Sequence, residues 1–185
     1  YHLLHTQYIG EAYPDAKTAV ILSQDDEIGL AAIAWSEAGF EAAGVDVLYS
    51  KPFGLETTDF APIVTAALAK KPAVISLGAC YPEFQALILE QAYTQGWKGL
   101  ITTACWDLKA ITAKVPADWL EHSVSGFPDF DDPKLTPKHN AFYKKWEAKY
   151  PGHGFSEIVW EYMAALDVWK YGVEKAGSVE SEKVF

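Results

Sequence analysis

Cysteine is scarce in this chain of 185 residues: there are two, Cys80 and Cys105. They are too few to make a zinc site by themselves, and their spacing matches no metal motif. Basic residues are outnumbered, with fifteen Lys and Arg against twenty-five Asp and Glu, for a formal charge of -10. Those fifteen are scattered, which argues against a nucleic-acid partner, because neutralising phosphates needs a concentrated basic surface. No apolar run approaches the ~20 residues of a membrane-spanning helix. The sequence also opens without an initiator Met or a charged n-region, as though in mid-helix, and a cleavable signal is not expected in it. Missing too are the G-x-G-x-x-G turn, the P-loop and the G-x-S-x-G elbow.

What is present is a hydrophobic content of 50%, enough for one folded core at this length. The stretch Ala19 to Leu30, AVILSQDDEIGL, compresses a buried strand, a polar turn and a helix start into twelve residues. Lys17 to Leu22 is the strand, and the helix begins near Glu27, with Ser23, Gln24, Asp25 and Asp26 supplying turn and cap side chains. Before it, Tyr1, Leu4, Tyr8 and Ala12 recur as the apolar stripe of a helix that ends before Pro14. After it come a stripe of Leu30, Ile33, Ala34 and Ala38, a stop near Gly44, and a second, less buried strand over Val45 to Tyr49. Lys51 to Thr58 reads as a loop, with N-cap candidates in Thr57-Thr58-Asp59, followed by a helix striped with Phe60, Ile63, Val64, Ala67 and Leu68. AVISLG is a third strand, Pro82 opens a helix bearing Phe84, Leu87, Ile88 and Ala92, and Leu100 to Thr103 is a fourth strand before a short helix near Leu108 to Lys114. A fifth strand is expected over His122 to Gly126. The alternation predicts an α/β fold, a doubly wound parallel sheet of order 2-1-3-4-5, followed by C-terminal helices. The proline- and aspartate-rich segment from Phe127 to Pro137 reads as a hinge or crossover. Beyond it, one helix carries Phe142, Trp146 and Tyr150, and a longer one carries Val159, Tyr162, Met163, Leu166, Trp169 and Val173. That aromatic stripe must be buried on the sheet, on a partner chain, or on a portion of the protein outside this sequence.

Three strand-end turns collect the unusual residues: Ser23 to Ile28, Gly78 to Tyr81, and Ala104 to Asp107. In the predicted order their strands are neighbours, with a switch point between the first and third, so the turns line one cleft. The acid pair Asp25-Asp26 reads as helix capping, since a receiver-type phosphoacceptor site would need an Asp where Leu77-Gly78-Ala79 stand. Cys80 or Cys105 would need a base to act as a nucleophile, and the histidines, at 2, 5, 122, 139 and 153, fall away from the three turns. Binding is therefore favoured over catalysis, with no metal and no cofactor. Cys80 and Cys105 follow adjacent strands, and two readings stay open: a disulfide at the cleft rim, or two small apolar lining residues. Trp106, beside Asp107 in an exposed turn, either faces the cleft or packs over the following helix.

The runs AVILSQDDEIG, TTDFAPIVTAAL, AVISLGACYPEFQALILEQAYTQGW and FYKKWEAKYPGHGFSEIVWEYMAALDVWKYGVEKAG together resemble the leucine/isoleucine/valine-binding family of type I periplasmic solute-binding proteins. The resemblance covers nearly the whole chain but only about half of a full family member. It implies a Rossmann-like second lobe over residues 1–126, a hinge over 127–137, and helices over 138–185 that return to a first lobe whose sheet is absent from this chain. It also implies an extracytoplasmic protein, periplasmic or extracellular, that closes on a small-molecule ligand and delivers it to the membrane permease of an ABC transporter. By position, the family's ligand contacts fall on Ile28, on Cys80 with Tyr81 next to it, and on Cys105 and Trp106, with Asp107 following; comparison of the three turns adds Ser23 to these candidates. Amino-acid-binding members place a carboxylate after the fourth strand to pair with the ligand ammonium, and here Cys105 and Trp106 stand there, with Asp107 the nearest acid. An ammonium left unpaired in a closed cleft would cost several kcal/mol. The expected ligand is therefore apolar or aromatic, with any carboxylate held by turn N–H groups and helix N-termini. Alternatives within the fold are an amide-sensor-like regulator and branched-chain amino acid binding itself; an enzyme with its catalytic groups elsewhere is the third class.

Overall fold

The computed structural model describes residues 2–104, 106–125, 137–152, 155 and 157–184, with backbone only at 2, 3 and 157. Five parallel strands form one sheet: β1 (Thr18–Gln24), β2 (Asp46–Phe53), β3 (Val74–Ser76), β4 (Leu100–Thr103) and β5 (Ser123–Ser125), in the order β2-β1-β3-β4-β5. All four pairings are parallel, as the alternation of strands and helices requires. Helices α1 (His2–Ala12) and α2 (Glu27–Ala42) cover one face, around Ala19, Ile21, Val74 and Leu100. The other face carries α3 (Ala61–Leu68), α4 (Pro82–Thr94) and α5 (Leu108–Thr112), around Val20, Leu22, Ile75 and Ile101. Alternate residues of each central strand thus feed opposite layers, which is why the strands read as continuous apolar runs.

Caps and turns explain the boundaries. Asp26 caps α2, its Oδ1 accepting from the Gly29 amide at 2.7 Å. Pro82 opens α4, and Gly44 and Gly96, both at positive φ, follow the ends of α2 and α4. At α3, of the candidates Thr57, Thr58 and Asp59, it is Asp59 that bonds the helix start. Its Oδ1 accepts from the Ala61 amide at 3.0 Å, while Phe60 occupies the cap position itself without a side-chain bond.

Three expectations need correction. First, β2 runs on through Lys51 and Pro52 to Phe53, where a loop was expected. Pro52 is tolerated because β2 is an edge strand: the Phe53 carbonyl accepts from Asp25 N on β1's side, so the nitrogen of the preceding residue points outward. Second, the inward face of α1 is His5, Thr6 and Ile9, while Leu4 is 66% and Tyr8 52% exposed. Third, α2 buries Gly29, Ala32, Ile33, Ser36, Gly39 and Phe40 rather than Leu30, Ala34 and Ala38. The physical reason is close helix packing. A Cβ on Gly39 would lie 2.2 Å from Thr6 Oγ1, and one on Gly10 would lie 3.0 Å from Ala43 Cβ, so small residues, not large ones, form this contact.

After a 3-10 turn (Ala117–Leu120) and β5 come α6 (Pro137–Lys149), α7 (Glu157–Ala176) and α8 (Ser181–Val184). Helices α6 and α7 meet through aromatic edges, Trp160 lying 3.9 Å from His139 and 5.6 Å from Phe142, and through an ion pair between Lys138 and Asp167. Along α7, Tyr162, Leu166 and Trp169 stay exposed, whereas Val159, Met163 and Val173 are partly covered. The expected hinge, 127–137, falls almost wholly outside the described residues.

Candidate functional site

Because all five strands are parallel, their carboxyl ends share one edge, and the turns after β1, β3 and β4 sit side by side on it. The connection reverses direction between β1 and β3, the position at which open α/β sheets form a crevice.

Two cross-links hold the first and third turns together. Gln24 Nε2 donates to the Ala79 carbonyl at 3.3 Å, and the Tyr81 hydroxyl donates to Asp26 Oδ2 at 2.8 Å. Asp26 thus accepts on both oxygens. The Gly29 amide first, and the Tyr81 hydroxyl second, hold its carboxyl below the ordinary value. The same bond raises the Tyr81 phenol, with burial and the nearby acids Asp26 and Glu83 adding to it.

A third link joins the turns after β3 and β4. Gln85, fully buried on α4, donates from Nε2 to the Cys80 carbonyl at 2.6 Å and to Thr103 Oγ1 at 3.2 Å, while the Ala104 amide donates to the Gly78 carbonyl at 2.9 Å. Gly78 sits at φ +53 with its missing Cβ facing Ala32 at 3.2 Å, so a side chain there would be both strained and crowded. Asp107 caps α5, its Oδ1 accepting from the Ala110 amide at 3.0 Å.

The proposed contact residues divide into two groups. Ile28, 55% exposed, stands on the rim, and Tyr81, Trp106 and Asp107 are partly exposed beside it. Trp106 is half-buried: part of it packs on the core of the α4 face and the rest stays accessible. Ser23 and Cys80 are different: each is 0% exposed, so neither side chain reaches the edge. Ser23 lies against the start of α2, its Oγ 3.1 Å from where a Cβ on Gly29 would stand, and Cys80 joins the core with Phe84 and Leu77. Burial first, and Glu83 and Asp26 after it, push the Cys80 thiol far up, the opposite of what a nucleophile needs. Cys105, and with it the disulfide question, lies outside the described residues.

The sequence reading gives Gln24 only as a turn or cap side chain and does not single out Gln85. For Gln85 the signal available is an amide within the otherwise apolar run FQALIL, which calls for internal partners. His5 was also misplaced: α1 lies along the sheet and carries it to a small cavity that Gly78 and Ala104 also line. Among the described residues, no cluster of three or more His, Cys, Asp or Glu could hold a metal ion, and no helix is long and apolar enough to cross a membrane.

A family model described as "Periplasmic binding protein" matches residues 6–185. The fold is similar to that of a leucine-binding protein from Thermotoga maritima, with a TM-score of 0.77 at 19% identity over 99% of this chain and 53% of that one. It is similar as well to an amino acid ABC transporter substrate-binding protein from Pseudomonas fluorescens Pf-5, with a TM-score of 0.77 at 18% identity over 99% and 49% of the two chains. A leucine-, isoleucine-, valine-, threonine- and alanine-binding protein from Brucella ovis, in its closed conformation, gives 0.79 at 16% identity over 98% and 47%. The chain spans about half the length of these solved structures. No curated protein matches it.

Proposed function

Because this chain belongs to the periplasmic binding protein family, we propose that it forms one lobe of an extracytoplasmic solute-binding protein, and that the edge bearing Ile28, Tyr81, Trp106 and Asp107 is one wall of its ligand cleft. The observation that carries this is the bonding of the first turn to the third, through Tyr81–Asp26 and Gln24–Ala79, at the switch point of the sheet. Such links pre-organise a wall before any ligand arrives. In this reading, residues 1–126 are the second lobe, 127–137 the hinge, and 138–185 the helices that pack on a first lobe. The exposed stripe of Tyr162, Leu166 and Trp169 on α7 is the surface that lobe covers. A membrane permease of an ABC importer receives the solute.

For the ligand we favour an apolar or aromatic small molecule, with or without a carboxylate. Exposed Ile28 and the accessible part of Trp106 supply apolar surface. Asp107, the nearest acid after β4, already accepts from its own helix, which weakens it as a partner for an ammonium. The chain contains no arginine, so it has no guanidinium fork for a carboxylate, leaving turn amides for that role. Branched-chain amino acids are the second reading, favoured by what the similar structures from Thermotoga maritima and Brucella ovis are described as binding.

Thermal-shift screening of the protein carrying both lobes separates these. An aromatic carboxylate at a hundredfold excess over its Kd is expected to add about 2.7 kcal/mol of stability, and Trp106→Ala to remove most of that gain. Stabilisation by leucine or valine alone would overturn the ligand class while leaving the binding role intact. Turnover of a bound compound would overturn the binding role itself.

A further inference from the structure

On the face of the sheet covered by α1 and α2, each central strand changes character as it nears the carboxyl edge. Ile21 is followed two residues later by Ser23, Val74 by Ser76, and Leu100 by Thr102, all of them buried. Residues two apart on a strand share a face, so the apolar layer gives way there to a row of hydroxyls. The helices answer with polar groups of their own: His5 and Thr6 from α1 and Ser36 from α2, each buried. Between them lies a cavity of about 10 Å3, lined by Thr102, Ser76, Ser36 and His5 and bounded by Gly78 and Ala104. Thr102, 2% exposed, presents a hydroxyl that has no hydrogen-bond partner.

We propose that this cavity is a binding site for a single internal water molecule, which bonds Thr102 Oγ1 and joins α1 and α2 to the ends of β3 and β4. The volume is about that of one water-sized probe, and the lining is polar on several sides, the two conditions a buried water requires. An unbonded hydroxyl at this depth is costly, and a bridging water satisfies it at little entropic expense. Cavities that stay dry are apolar, whereas serine, threonine and histidine line this one. The water lies directly behind Gly78 and Ala104, so it fixes the backbone from which two of the three turns depart. This inference stands independently of any solute-binding role.

The test pairs a high-resolution crystal structure of the 185-residue chain with two substitutions. An ordered oxygen within hydrogen-bond distance of Thr102 Oγ1 is expected in the wild-type density. Thr102→Val should expel it and lower the melting temperature by roughly 2–4 °C, the shift that corresponds to one lost hydrogen bond at this chain length. Thr102→Ser should keep the water and shift the melting temperature less than Thr102→Val. A dry cavity in the density, or a Thr102→Val protein as stable as wild type or more so, would overturn the proposal, because replacing an unsatisfied hydroxyl by a methyl is neutral or favourable.

Discussion

The Tyr81 hydroxyl donates to Asp26 Oδ2 at 2.8 Å while the Gly29 amide donates to Oδ1 at 2.7 Å. One carboxylate is at once the cap of α2 and the anchor of the turn after β3, so a local helix-start signal doubles as a tertiary tie.

That sharing makes the tie sensitive to pH at both ends. The Asp26 carboxyl is lowered from its ordinary 3.8 in the folded chain, so its stabilisation is complete above that value and is lost as pH falls through the lower folded one. The Tyr81 phenol is raised from its ordinary 10.0, so its stabilisation is complete below that value and is lost as pH rises through the higher folded one. Melting curves of wild type and Tyr81→Phe should differ by a constant, small amount across neutral pH, with the gap closing at both extremes. A gap that does not narrow in acid would mean that Asp26 is not the acceptor that matters.

Gly29 permits the turn that Asp26 caps. A Cβ there would fall 2.0 Å from the Gln24 carbonyl oxygen, which is backbone and cannot swing aside. Gly29→Ala is expected to cost upwards of ~3 kcal/mol in urea denaturation, in the range reserved for severe steric conflict. A loss of about 1 kcal/mol, the ordinary cost of a mutation, would show that the turn shifts freely.

Two glutamines on neighbouring parts of the chain should respond very differently to substitution. Gln85, buried, serves the Cys80 carbonyl and Thr103 Oγ1; Gln95 accepts from Thr65 Oγ1 at 3.1 Å on the surface. Gln85→Leu should destabilise by about 1–3 kcal/mol, because buried groups lose their partner. Gln95→Ala should stay within about 0.5 kcal/mol. Equilibrium unfolding of both variants reads the contrast directly.

Cys80 offers a kinetic prediction. With no accessible surface and a thiol pushed well above its ordinary value, it should resist a thiol reagent such as DTNB at pH 8 until the chain unfolds. In a Cys105→Ser background, labelling should follow the unfolding rate. Prompt labelling there would place Cys80 at the surface after all.

The sheet order, the seats of β1, β3 and β4, the cap at Asp26 and the opening proline of α4 were all legible in the sequence, because each rests on local chemistry: β-branched runs, acceptor side chains and a missing N–H. The inward faces of α1 and α2 were not. Periodicity counts large apolar residues, and these two helices meet through Gly39, Thr6 and Gly10, leaving Leu4, Tyr8 and Leu30 outside. The strand order sets the three turns side by side on one edge, but the sequence could not say which way each side chain points. Ser23 and Cys80 therefore looked like lining residues and proved to be interior. His5 was missed for the complementary reason, since only the packing of α1 along the sheet brings it near residues a hundred positions further on.

Pro52 bears on more than the local geometry of β2. Its ring nitrogen occupies the outer margin of the sheet, where another residue would expose a donor for hydrogen bonding. A second molecule approaching that margin to extend the ladder finds a gap in the row of donors, with the Lys51 ammonium stem next to it. One imino acid thus disfavours strand-to-strand association through β2, and Pro52→Val is expected to make the protein more prone to it at high concentration.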